Sequence, residues 1–401
     1  MMNHDVSHSP ALCFLLGLPR SGTTLLAHVL QRHPDILAPP EPWLMLALEA
    51  FGKVDQRHPA GASLVQTATS EFLGRIDRTI VTRAFADAAY GRYLAAAGKR
   101  TLIDKTPRYW TVLDFLDSVY PEAPRLVLMR NPYAIAASLK STWDVPLLAA
   151  SCPPAIASCL ADIALGQPTP PIASSLADLV LGLPALAAYR TRPQTQVVHY
   201  EVLVAQPDDE VRRVLAGLGY TPTDMASAPM GQTDDLRSST LGDRKIVERK
   251  TVDDRSVQAW QTNLSIEEMQ VVTDLVGAEL LIELGYEQDL QFAKRAGVVD
   301  RGPEATQGYR HLFRTCWDFL DGKTGRSFEI PVDGAELDSS GRQAEENSSL
   351  AFGRSVLQQA QRLAATKKEE NLRAANSIAA QLNEALAASK ADRDAPSGDH
   401  P

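Results

Sequence analysis

The chain has 401 residues, 44% of them hydrophobic and 22% charged, a balance that suits a globular protein with a core of domain size. With 49 acidic against 40 basic residues the formal charge is −9, which argues against a general nucleic-acid binder. The four cysteines, Cys13, Cys152, Cys159 and Cys316, form no CxxC pair and no cluster with histidine, so neither a disulfide framework nor a zinc site is expected. Residues 11–18 are apolar, but no Lys or Arg precedes them and no small-residue cleavage site follows. They read as a strand and not as a signal peptide, and no apolar run reaches the roughly 18 residues of a membrane span. The expected address is cytoplasmic.

That first strand breaks at Gly17, a Pro-Arg-Ser-Gly turn follows, and apolar residues then recur at Leu25, Leu26, Val29 and Leu30 as on a buried helix face. His33-Pro34-Asp35 ends the helix, and residues 36–38 step into Pro39-Pro40-Glu41-Pro42. Residues 44–98 carry helical spacing, broken around 52–62. Residues 101–105 read as a short strand closing on Asp104-Lys105-Thr106-Pro107, then a helix over 109–119, then a strand over 125–130 ending at Asn131-Pro132. A helix holding residues 134–140, a strand over 196–201 and a helix over 208–218 complete the alternation. Strands alternating with helices predict an α/β fold, a P-loop-like parallel sheet flanked by helices. Ligands of such sheets bind beyond the carboxyl ends of the strands, where the polar clusters of this chain fall.

Residues 145–188 contain two charges only, Asp162 and Asp178. They read either as buried helices or as a wall beside an apolar acceptor. The expected domains are residues 1–290, a linker with a short helix over 291–349, and a long helix with a disordered tail over 350–401. Within the last, Leu350, Leu357, Ala364, Ile378 and Ala385 share a heptad register that Asn371 interrupts. This C-terminal helix leaves homo-oligomerisation or a partner protein open.

The skeleton Gly17-x-x-x-x-Gly22-x-Thr24 matches the phosphate loop of nucleotide-hydrolysing proteins except at one place: Thr23 stands where their lysine would be, and Arg20 lies inside the loop. The free N–H groups of such a loop and helix start form an anion cradle. The loop therefore predicts phosphate binding without the main cation of ATP–magnesium chemistry.

Phe14-Leu-Leu-Gly-Leu-Pro-Arg-Ser-Gly-Thr-Thr24 resembles the phosphosulfate loop of sulfotransferases, which use 3′-phosphoadenosine 5′-phosphosulfate (PAPS) as donor. The resemblance spans roughly residues 11–287. It implies that Arg20, Ser21, Gly22, Thr23 and Thr24 hold the 5′-phosphate, and that Lys105 supports the bridging oxygen. Arg130 at a strand end, with Ser138 eight residues on, resembles the family's 3′-phosphate motif; a dianion there needs a bidentate cation and a hydroxyl donor. Tyr200-Glu201-Val-Leu resembles its strand-ending nucleotide contact, and Lys250, ten residues before Trp260, its closing loop. The family's serine in that loop has no clear counterpart, since Ser238, Ser239 and Thr240 come too early. Glu41 resembles the general base of tyrosylprotein-type sulfotransferases, while the cytosolic aryl and alcohol enzymes use a histidine, for which His33 is the nearest candidate.

The resemblance implies an enzyme that moves a sulfuryl group from PAPS to a hydroxyl or amine on a carbohydrate, a lipid-linked molecule or another small molecule, with no metal. Its catalytic residues would be Arg20, Glu41 and Lys105. A P-loop small-molecule kinase and a non-catalytic nucleotide-binding module are the alternatives.

Overall fold

The apolar runs become strands because both faces of the sheet are covered. Every residue of β3 (Thr101–Lys105) and β4 (Arg125–Met129) is buried, as are all but the first of β1 (Ala11–Gly17). This is seen in a computed structural model that describes residues 11–51, 59–148, 171–221 and 255–320. With β2 (Ile36–Leu37) and β5 (Thr195–His199), they form one five-stranded sheet in the order β2-β3-β1-β4-β5. Each neighbouring pair is parallel. β1 thus lies at the centre, and the chain leaves it toward β2 on one side and later crosses to β4 on the other. A crevice opens where such connections diverge, outside the carboxyl ends of the strands.

The element order follows the sequence reading, with three local differences. The segment over 109–119 begins as a 3-10 turn, Tyr109–Val112, before the α-helix Leu113–Val119, because Arg108 just ahead has a left-handed backbone (φ 68°). β5 ends at His199, and Tyr200 opens the helix Tyr200–Ala205 instead of ending the strand. The apolar segment ahead of β5 contains the helices Pro171–Ala177 and Leu183–Tyr189 joined through a π-turn, Asp178–Gly182, with Leu176, Leu179, Val180, Leu183 and Leu186 buried. Residues 149–170 of that segment lie outside the described residues.

The helix Pro132–Trp143 starts as its sequence dictates. Pro132 takes the first helical position, where a missing N–H costs nothing, and the Asn131 side chain accepts from the Tyr133 N–H. The helix Ile266–Val276 is opened by a capping box between Ser265 and Glu268. Cys13 is in the core, and burial pushes its thiol up to about 12.

The chain divides into two units. One comprises Met1–Val145 with Ser175–Pro303 and holds the sheet; the other comprises Pro146–Ser174 with Glu304–Pro401. The helix Glu287–Ala296 runs through the expected boundary at 290, with Leu290 buried. A helix Pro303–Leu320 stands within the stretch expected as linker. The rest of that linker and the long helix over 350–401 lie outside the described residues. Among the described residues no helix is long and apolar enough to cross a membrane.

Candidate functional site

The loop between β1 and the helix Thr23–Leu30 is shaped by two glycines that no other residue could replace without movement. A Cβ on Gly17 would lie 2.6 Å from Thr23 Cγ2 and 2.9 Å from Ser21 Oγ. Gly22 has φ 105°, and its Cβ would come within 2.4 Å of the Tyr200 ring. Ser21 is turned into the loop. Its N–H and its hydroxyl both donate to the Leu18 carbonyl, at 3.1 and 2.7 Å, so its part is to fix the turn. No side chain caps the helix that follows and no acidic residue stands in its first turn, so the N–H groups of its opening residues are left for an anion.

A cleft of about 190 Å³ opens against this loop. Arg20, Gly22, Thr23, Thr24, Arg130, Ser138 and Tyr200 all line it, brought together from the carboxyl ends of β1, β4 and β5. Arg20 donates from Nε to Ser138 Oγ at 3.0 Å and from Nη2 to Thr142 Oγ1 at 3.4 Å. The Ser138 oxygen is therefore an acceptor toward Arg20, and its O–H remains a donor. Arg130 is held on three sides. Nη1 donates to the Arg20 carbonyl (2.7 Å), Nη2 to the Ser256 carbonyl (3.1 Å), and its guanidinium lies 4.2 Å from the centroid of the Tyr200 ring. Its buried Nε has no hydrogen-bond partner among the described residues. Burial pulls this guanidinium below its usual value, with Tyr200 and Glu201 opposing, and arginine so placed remains a cation.

Sequence reasoning missed Ser256 and Thr142. The Tyr200 hydroxyl shares a 2.7 Å hydrogen bond with Ser256 Oγ, so a serine does line the cleft here, from a position the family pattern did not point to. Trp260 is wholly buried and stacks on Tyr133 at 4.7 Å, and it also lines the cleft. Glu201 takes a structural place, accepting from the Asn131 N–H at 2.9 Å.

Beside the cleft, Lys105 Nζ donates to Thr24 Oγ1 (3.4 Å) and to Glu41 Oε1 (3.0 Å). The pair is mostly withdrawn from water, the side chains being 2% and 14% exposed, and Thr24 links it to the phosphate loop. Pro40 bridges to Lys105 at the end of β3, and this sets Glu41 at the carboxyl edge of the sheet. Glu41 has φ 45° and Trp43 φ 54°, a turn held in a left-handed conformation by its surroundings.

His33 is placed elsewhere. It is buried with its ring 4.3 Å from that of Tyr220, its Nδ1 accepts from the Asp35 N–H, and Asp35 pairs with the first residues of β3. Four strand residues at ~3.3 Å each put His33 about 13 Å from the Lys105 end. That is the amino edge of the sheet, away from the cleft. Lys250 lies outside the described residues, as do Ser238, Ser239 and Thr240. Among the described residues no group of three or more His, Cys, Asp or Glu side chains is placed to hold a metal ion.

The sequence model of the sulfotransferase family matches residues 13–224, more than half of the chain. The nodulation protein NoeE of Sinorhizobium fredii (strain NBRC 101917 / NGR234) is 62% identical over 392 residues, covering 98% of this chain and 93% of that protein. Among solved structures, the sulfotransferase domain from the curacin biosynthetic pathway is 18% identical with a TM-score of 0.43, over 67% of this chain and 98% of that one. The sulfotransferase domain of the Synechococcus PCC 7002 olefin synthase is 22% identical with a TM-score of 0.41, over 66% and 95%.

Proposed function

We propose, from the premise that this chain belongs to the sulfotransferase family, that it moves a sulfuryl group from PAPS to a hydroxyl or amine of a small-molecule acceptor, such as a carbohydrate or a lipid-linked molecule. The observation that carries the choice of donor is Arg130: a buried cation whose Nε–H has no partner among the described residues, in the wall of the same cleft as the glycine loop. A buried donor left unpaired costs about 1–3 kcal/mol, which a phosphate oxygen would relieve.

The residues present fit such a donor. Gly22, Thr23 and Thr24 offer N–H groups and hydroxyls to the 5′-phosphate, with Ser21 holding the turn. Arg130 and the Ser138 hydroxyl face the 3′-phosphate, and the Tyr200 ring with Ser256 supports Arg130 from behind. Lys250 belongs to this set as a closing phosphate contact. PAPS supplies an activated sulfuryl group whose charge is low enough for protein cations to replace a metal. Arg20 and Lys105 stabilise the charge that develops on the oxygens around it. Glu41 takes the proton of the acceptor, and Lys105, at 3.0 Å from it, holds the carboxylate in place.

Calorimetry without metal tests the donor. Arg130→Ala should weaken adenosine 3′,5′-bisphosphate by about 30- to 160-fold, the 2–3 kcal/mol of a charged hydrogen bond, and leave adenosine 5′-phosphate nearly unchanged. Equal loss for both nucleotides removes the 3′-phosphate assignment. Binding of ATP with magnesium in place of the bisphosphate would favour the kinase reading.

A further inference from the structure

A buried cluster behind Lys105 does not touch the cleft, yet it bears on the reaction. Asp104 is fully buried, and its carboxylate accepts from three hydroxyls: Tyr90 at 2.6 Å and Tyr109 at 3.0 Å on Oδ2, and Thr106 at 2.8 Å on Oδ1. Two of these hydroxyls are also acceptors. Thr106 Oγ1 receives the Trp43 N–H at 3.2 Å, and the Tyr109 oxygen receives the Met45 N–H at 3.1 Å. Trp43 ends the turn that carries Glu41, and Met45 lies in the first turn of the helix Leu44–Glu49 that follows it.

A hydroxyl has one proton to donate. Because Asp104 takes it from Thr106 and from Tyr109, each oxygen must present a lone pair to the turn. That turn has two non-glycine residues, Glu41 and Trp43, in the left-handed region, a state that persists only where its surroundings over-determine it. The restraint reaches Glu41 from the same stretch of chain that supplies its ion-pair partner, Lys105.

We propose that Asp104 is a positioning residue: through Thr106 and Tyr109 it holds the Glu41 turn so that the carboxylate stays against Lys105. This rests on Glu41 as the proton acceptor, and the test separates the two. In Asp104→Asn one carboxylate oxygen becomes a donor, so at least one hydroxyl must accept from it and turn its own proton elsewhere, which weakens its hold on the turn.

In the full-length protein, hydrogen exchange is read at the Trp43 and Met45 amides. Affinity for adenosine 3′,5′-bisphosphate is measured by calorimetry, and turnover as PAPS hydrolysis, with water standing in as acceptor. Thr106→Val should speed exchange at Trp43, and Tyr109→Phe at Met45, by about tenfold or more. Turnover should fall by about tenfold while bisphosphate affinity stays within about twofold. Thr106→Ser, which keeps the hydroxyl, should restore both, and Asp104→Asn should open at least one of the two amides. Unchanged exchange at Trp43 and Met45 in Asp104→Asn overturns the proposal, as does a Thr106→Ser protein no better than Thr106→Val. If the exchange pattern appears but Glu41→Gln keeps full turnover, the positioning stands and the role of Glu41 as base falls.

Discussion

Glu41 shows how a single residue is prepared by its neighbours. Prolines on both sides stiffen its turn, its backbone is left-handed, and its carboxylate meets Lys105 with little water around either group. Glu41→Gln should therefore leave bisphosphate affinity nearly intact and lower turnover by about 10² or more, because an amide can hydrogen-bond the acceptor but not take its proton. His33→Ala, at the far edge of the sheet, should cost stability and spare turnover; the reverse pattern in steady-state kinetics would move the base to His33. A second residue, Asp178, reports on pH. It pairs with Arg108 (Nη2 to Oδ2 3.0 Å) and accepts from Trp110 Nε1 at 2.9 Å, yet burial outweighs Arg108 and raises its carboxyl from 3.8 to about 6. Between these values the folded chain holds a proton that the unfolded chain has released. Its contribution to stability is therefore full below about pH 4 and is lost as pH rises through 6, about 2–3 kcal/mol in all. Denaturant titrations over this range should show wild type losing that much relative to Asp178→Asn. Parallel pH curves for the two proteins would dismiss the shift.

At the scale of elements, the Gly17–Thr24 loop is proposed to bind phosphate through its backbone, so its tolerance is the sharper test. Gly22→Ala places a methyl group into the Tyr200 ring and demands a positive φ, which costs about 1–2 kcal/mol in strain alone. Tyr200 lies under Arg130, so the displacement should reach the 3′-phosphate side and weaken the bisphosphate by more than about tenfold, with the fold retained by circular dichroism. Wild-type affinity in Gly22→Ala would mean that the ring moves aside freely. The same loop explains what could be read from sequence. β1, β3 and β4 were legible because strands covered on both faces are written as unbroken apolar runs, and the loop because Gly17 and Gly22 are demanded by close approach and by φ. The helix holding residues 134–140 was legible, and the structure starts it at Pro132 behind the Asn131 cap. Contacts made only in space were not. Arg20 meets Ser138 and Thr142 more than a hundred residues away, Arg108 meets Asp178 across 70, and no periodicity relates such partners. The left-handed Arg108 gave no signal either, as arginine carries no turn preference of the kind glycine or asparagine does.

For the whole molecule, the question is how much of an acidic chain is needed to hold an anion. The net charge is −9, yet among the described residues the cleft is lined by Arg20 and Arg130 with hydroxyls and by no carboxylate. Local placement thus decides against the overall field, since charges beyond about 8–10 Å are screened at physiological salt. Every described residue lining the cleft falls between Arg20 and Asn263, and the unit that holds the sheet ends at Pro303. The chain after residue 320 shares no motif with the site. Its heptad-spaced apolar residues instead suit association. A protein ending at residue 320 should bind adenosine 3′,5′-bisphosphate within about twofold of the full chain by calorimetry, since no phosphate contact is removed. Light scattering on the two proteins should place any difference in the oligomeric state, the property a heptad register would serve. The decisive adverse result is a shortened protein that keeps its circular dichroism and near-native melting but no longer binds the bisphosphate. The site would then depend on residues beyond 320, and the unit ending at Pro303 could not be the donor-binding unit by itself.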